Sequence, residues 1–85
     1  MVNITMYSAQ GCGYCSSAER LLNNKGIAHF TKIRVDSEQG KLEEMIAKTS
    51  RRTVPQIFIG NLHVGGYDDL AALDRSGKLD QLLSA

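Results

Sequence analysis

The sequence predicts an α/β fold, a small mixed sheet with helices on both faces. Three observations predict it. Val2 to Tyr7 alternates apolar and polar residues, as a half-buried strand does, and a helical repeat follows from Tyr14. His29 to Val35 alternates again, completing a β-α-β unit whose right-handed crossover makes its strands parallel. Later, Ile57-Phe58-Ile59 and Leu62-His63-Val64 flank Gly60-Asn61, the spacing of a tight antiparallel hairpin.

Each element has its own signal. In Val2–Tyr7, the residues Val2, Ile4 and Met6 share one side and Asn3, Thr5 and Tyr7 the other. Ser8 to Gly13 is a loop. In the first helix Ala18, Leu21 and Leu22 recur at helical spacing, and Gly26 after Lys25 is its stop. The second strand is β-branched, and its Lys32 and Arg34 place it at an edge or on a solvent-facing side. A second helix opens at "DSEQG", capped by Asp36 or Ser37, with Leu42, Met45 and Ile46 as its apolar stripe. The unbroken run Ile57-Phe58-Ile59 suits a central strand covered on both faces. Gly65-Gly66 breaks the chain before a short helix, Tyr67 to Gly77, with Asp68 and Asp69 in its first turn and Gly77 as its stop. Leu79, Leu82 and Leu83 form a last amphipathic turn or two.

Composition narrows the function. At 85 residues the chain reads as one domain, 1–85, without repeats or linkers. Ten basic against nine acidic residues leave a net charge of +1, which gives no bulk pull toward nucleic acid or a membrane surface. No apolar run reaches the roughly 20 residues of a membrane span. The start, "MVNITMY", has no basic and apolar leader, so the cytoplasm is the expected location. Thiols there are kept reduced, which favours catalytic or metal-binding cysteines over structural ones. Nothing in the sequence suggests a large interface, and a monomer is expected.

Both cysteines of the chain sit in "GCGYC", at positions 12 and 15. A structural zinc needs four ligands, and the other soft candidates, His29 and His63, lie in separate strands with no finger spacing. A structural disulfide across so short a loop would close little chain and stabilise little. Two inert core thiols would have to meet by chance at a strand–loop–helix junction. A redox pair fits the position best. Cys12 stands at or next to a helix N-cap, where unpaired N–H groups and the positive helix end favour its thiolate. Cysteines so placed titrate at about 3.5–7.5 rather than about 8.5. Cys15, one turn further, is close enough to resolve a mixed disulfide on Cys12 and is expected to be buried and less acidic. Gly13 leaves the entry to Cys12 open. Tyr14 is a core aromatic or a wall beside the sulfur, and its place in the first helical turn favours the wall.

Three segments, Cys12-Gly13-Tyr14-Cys15, Thr53-Val54-Pro55 and Gly65-Gly66-Tyr67-Asp68-Asp69-Leu70, match in order and spacing those of the glutaredoxin family, so the chain resembles that family over essentially its whole length. Thioredoxins usually carry Trp-Cys-Gly-Pro-Cys, and this chain has no Trp. The resemblance implies a thioredoxin-like fold: a four-stranded mixed sheet, βαβ then ββα, with helices on both faces. It implies a glutathione-dependent thiol–disulfide oxidoreductase in which Cys12 attacks and Cys15 resolves. Its partners would be glutathione, as co-substrate, and glutathionylated or disulfide-containing proteins. It also implies a cis peptide before Pro55, with Thr53 and Val54 beside Cys12 and the Val54 backbone pairing with the glutathione peptide in strand fashion. Gly65 and Gly66 would let the chain pass close to the ligand. The helix start at Asp68 would offer N–H donors to the γ-glutamyl carboxylate, and the Asp68 side chain would take its ammonium. Asp68 and Asp69 can equally be plain helix caps.

Two departures from the family pattern matter. The lysine often found three residues before the first cysteine is Ala9 here. Gln10 can serve only partly, so Arg51 or Arg52 is the candidate partner for the glycine carboxylate of glutathione; the alternative is a solvated helix end. The position between Cys12 and Tyr14 is more often proline, and here it is Gly13. Relatives with glycine there can, in some cases, hold a [2Fe–2S] cluster in a dimer, through the first cysteine and glutathione of each partner. The monothiol members dedicated to clusters have serine where this chain has Cys15, which competes by closing a disulfide.

Overall fold

The computed structural model describes residues 2–84. The chain runs β1 (Ile4–Ser8), α1 (Gly13–Asn24), β2 (Thr31–Arg34), α2 (Lys41–Thr49), β3 (Gln56–Ile59), β4 (Leu62–Gly65), α3 (Tyr67–Arg75) and α4 (Lys78–Leu83). The sheet order is β2-β1-β3-β4. β1 is parallel to β2 (Thr5 opposite Thr31) and antiparallel to β3 (Thr5 opposite Phe58), and β3 is antiparallel to β4. The mixed four-stranded, thioredoxin-like sheet expected from the sequence is the one found.

Alternation along β1 divides the core. Ile4 and Met6 face one side with Ile57 and Ile59 of β3, where Ala18 and Leu22 of α1, Leu70 of α3 and Leu79 of α4 cover them. Full burial of each such leucine stabilises by roughly 1.5–3 kcal/mol. Tyr7 points to the other side, toward α2, and its Oη donates to Glu44 at 2.6 Å. No helix is long and apolar enough to cross a membrane among the described residues.

Several boundaries differ from the sequence reading. β1 starts at Ile4 rather than Val2 and runs through Ser8, while β2 is only Thr31–Arg34. β2 is an edge strand, as its charges suggested. The largest correction is at α2. Its N-cap is Gly40, with φ 79°, not Asp36 or Ser37. Asp36 is engaged elsewhere: its carboxylate accepts two bonds from Arg34, each at 2.9 Å, and the Gln10 N–H at 3.1 Å. Ser37 and Glu38 form a turn on the Arg34 carbonyl. The α2 stripe is also narrower than expected. Met45 is fully buried, but Leu42 is exposed. Gly77, read as a stop, also caps the next helix, since α4 begins at Lys78.

Candidate active site

Cys12 is the N-cap of α1, with extended backbone at φ −88° and ψ 107°. In that conformation its side chain turns back over the helix end, and its Sγ accepts the Cys15 N–H at 3.1 Å. The cap position and the orphan N–H groups of the first turn favour negative charge on this sulfur. Cys15 shares one helical stripe with Ala18 and Leu22, at spacings of three and four, so the core that buries those two buries it also; it is 2% exposed. Cys12, one turn back, stays half-buried. The two sulfurs are joined as a disulfide. A side chain grown at Gly13 would meet nothing within 4 Å, so the approach to the pair is open there.

The segment before β3 closes against this pair. The Val54–Pro55 peptide is cis, and the Val54 carbonyl oxygen lies 3.7 Å from Cys12 Sγ. From Val54 a groove of about 340 Å³ runs to the start of α3. Thr53, Val54 and Pro55 line it on one side, and Gly66, Asp68 and Asp69 on the other. Tyr14 and Arg51 complete it. Tyr14 is a wall, not a core residue. It is 65% exposed, and its ring stacks on Tyr67 with centroids 6.2 Å apart.

Asp69 has a more specific place than the doublet alone suggested. It is the third residue of α3, and its Oδ2 accepts the N–H of the N-cap Gly66 at 3.0 Å, half of a capping box. The same oxygen accepts from Arg51 Nη1 at 3.1 Å. The Gly66 N–H first, and the Arg51 guanidinium second, hold this carboxyl below the usual range. Asp68 keeps an exposed carboxylate at the groove. The N–H groups of the first turn of α3, among them those of Tyr67 and Asp68, have no carbonyl within the helix to bond. The groove thus offers donors at a helix end, two exposed carboxylates, of which Asp69 is bonded to Arg51 and Gly66, and a bare backbone segment at Val54.

Arg52 is exposed and does not line the groove, whereas Arg51 does. Gly65 lies behind Asp69. Ala9 and Gln10 line a second depression, about 440 Å³, together with Cys12 and Cys15 themselves. Its cations are already paired, Lys32 with Glu19 at 3.1 Å and Arg34 with Asp36 at 2.9 Å. Two groove residues escaped the sequence reading, Gln56 and Tyr67. The signal for Gln56 was a lone amide opening an otherwise apolar strand. For Tyr67 it was an aromatic residue between a glycine pair and an acidic pair.

Comparison with known proteins agrees with this geometry. The profile of the glutaredoxin family matches residues 4–64. Glutaredoxin 3 of Escherichia coli (strain K12) is 48% identical over 83 residues, 98% of this chain and 99% of that protein. Among solved structures, the buckwheat glutaredoxin–glutathione complex superposes with a TM-score of 0.87 at 35% identity, covering 98% of this chain and 77% of that one. The solution structure of glutaredoxin from Brucella melitensis gives 0.83 at 48% identity, covering 98% and 89%. With its paired cysteines at a helix start and an open groove beside them, the chain belongs to the glutaredoxin family of thiol–disulfide oxidoreductases.

Proposed function

We propose that this chain is a glutathione-dependent thiol–disulfide oxidoreductase acting on glutathionylated and disulfide-containing proteins. The observation that carries the reading is the Cys12 sulfur at the α1 cap, 3.7 Å from the carbonyl of Val54, a residue that lines the groove. Glutathione would lie extended along Val54, with its γ-glutamyl carboxylate at the N-terminus of α3 and its ammonium near Asp68. Arg51 lines the groove and is the candidate cation for the glycine carboxylate; its bond to Asp69 sets its guanidinium at the α3 end, so that role requires it to turn away from Asp69. The buckwheat relative bound to glutathione supports this choice of ligand. The reading places the protein in the cytoplasm, as a monomer.

The steps balance as exchanges of one disulfide for another. The Cys12 thiolate attacks the glutathionyl sulfur of a protein mixed disulfide. That bond breaks, a Cys12–glutathione disulfide forms, and the protein thiolate leaves and takes up a proton. A second glutathione thiolate then attacks the bound glutathionyl sulfur, releasing oxidised glutathione and the Cys12 thiolate. With a protein disulfide, Cys12 attacks first and the Cys15 thiolate then displaces the reduced protein. That leaves the Cys12–Cys15 disulfide of this structure, which two glutathione molecules reduce.

Separate replacements test the roles. Cys12→Ser is expected to abolish deglutathionylation, while Cys15→Ser keeps it and loses reduction of protein disulfides. Full deglutathionylation by Cys12→Ser overturns the assignment. A [2Fe–2S] cluster takes four protein or thiol ligands. This chain has two cysteines, bonded to each other, one of them 2% exposed. One chain alone therefore cannot supply four ligands. The cluster alternative is a dimer in which Cys12 and one glutathione of each partner would ligate it, which requires the Cys12–Cys15 disulfide to be open, and no step is assigned to it.

A further inference from the structure

Gln56 opens β3 and is wholly buried, where an amide must find partners for both ends. Its Nε2 donates to the Thr53 carbonyl oxygen at 3.0 Å and reaches Thr53 Oγ1 at 3.3 Å. A carbonyl only accepts, so the NH₂ end of the amide must face Thr53 and Oε1 must face away. His63 Nε2, on β4, lies 2.8 Å from that Oε1. Oε1 carries no proton, so His63 Nε2 must supply one. The His63 ring is itself held, 5.0 Å from the ring of Phe58 on β3.

The far end of this path is the reacting sulfur. Thr53 precedes Val54, whose carbonyl stands 3.7 Å from Cys12 Sγ. Among the described residues, neither Thr53 nor Val54 makes a backbone–backbone hydrogen bond of its own. The turn therefore lacks the ladder that fixes the strands around it, and the Gln56 amide bonds its first residue. We propose that Gln56, oriented by His63, is a positioning residue for the Thr53-Val54-Pro55 turn, setting the Val54 peptide against Cys12. The inference rests on the reading of the groove as the glutathione site, and it adds a role for His63, which does not line that groove.

Three measurements on the full chain test it. In ¹⁵N spectra of the wild type, His63 must be protonated at Nε2; a bare Nε2 overturns the proposal. His63→Leu keeps the contact with Phe58 and removes the donor. It is expected to raise KM for a glutathionylated peptide about three- to tenfold, the worth of one hydrogen bond, with kcat within about twofold. A mere loss of folded protein would instead lower kcat and leave KM alone. His63→Gln puts an amide donor where Nε2–H stood and is expected to restore KM and the Val54 amide shift. If His63→Leu keeps the wild-type KM, or if His63→Gln fails like His63→Leu, the proposal falls. Should glutathione leave the wild-type Val54 amide unmoved, the groove reading fails by itself. The His63 tautomer and the Val54 shift in the two variants then still decide whether the relay sets the turn.

Discussion

The Arg51 guanidinium and the Asp69 carboxylate meet at 3.1 Å, on the same oxygen that caps Gly66. One carboxylate thereby ties the segment entering the cis-proline turn to the start of α3, the two sides of the groove. Gly65 is packed directly behind the pair. Its φ is 117°, and a Cβ there would run into the Asp69 carboxylate and come within 3.1 Å of Arg51 Nη1.

The two neighbouring glycines should therefore respond differently to alanine. Gly65→Ala meets an unfavourable backbone, worth about 1–3 kcal/mol, and also pushes Asp69 off its two partners. Gly66 has φ −91°, and its added Cβ would meet only the Pro55 carbonyl oxygen at 3.5 Å. Gly66→Ala is expected to lose at most about 1 kcal/mol as a poorer N-cap. Urea unfolding of both variants checks this; equal losses would refute the packing argument.

Acid should unfold the protein through a small set of carboxylates. Asp36 is held far below its ordinary value by Arg34 and the Gln10 N–H. Glu44 is lowered by the Tyr7 hydroxyl and Lys41, and Asp69 by the Gly66 N–H and Arg51. Each folded-state pKa lies below the unfolded one. Their stabilisation is thus complete above about pH 4–5 and is lost as pH falls through the folded values. Asp36→Asn and Asp69→Asn should lower the melting temperature at pH 7 and flatten its fall toward pH 3. Variants that lose as much between pH 7 and pH 3 as the wild type would show that these pairs do not matter.

Tyr7 offers a stability test that leaves the site untouched. Its ring is 1% exposed, and its hydroxyl donates to Glu44, which keeps Lys41 at 3.2 Å if the hydroxyl goes. Tyr7→Phe preserves the ring and is expected to cost about 0.5–1.5 kcal/mol, the net worth of one hydrogen bond. Tyr7 does not line the groove, so turnover should be unchanged. A drop in turnover without a drop in stability would mean that α2 communicates with the site.

The fold was legible because its strands and helices repeat with clean periods. Ile4 and Met6 alternate with Thr5 and Tyr7, and Ala18 and Leu22 keep helical spacing on the buried face of α1. The redox pair was legible because Cys12 and Cys15 straddle a predicted helix start. The α2 boundary was not, because Asp36 is a good cap by type and its capture by Arg34 and Gln10 is a tertiary event. The tie from Arg51 to Asp69 crosses 18 positions of sequence. No local pattern announces such a pair, and Asp68 and Asp69, adjacent and alike, split their tasks only when the helix fixes which carboxylate points back at Gly66.

Cys12 should be the reactive thiol, and the geometry says how it would be seen. Reduction frees its sulfur at the α1 cap, where the Cys15 N–H already points at it from 3.1 Å. That donor and the helix end act on the thiolate more than on the thiol. The Val54 carbonyl at 3.7 Å works the other way, since an oxygen lone pair repels an anion. The N–H is closer and is joined by the helix end, so the balance favours the anion. In a Cys15→Ser variant, where Cys12 is the sole thiol, alkylation by iodoacetamide should reach half its maximal rate well below the pH of about 8.5 typical of free cysteine. Moving the cysteine out of the cap, in a Cys12→Ser, Ser16→Cys variant on the same background, should return the midpoint toward that value. A midpoint for Cys12 no lower than that of the displaced thiol would mean that the cap does not activate it.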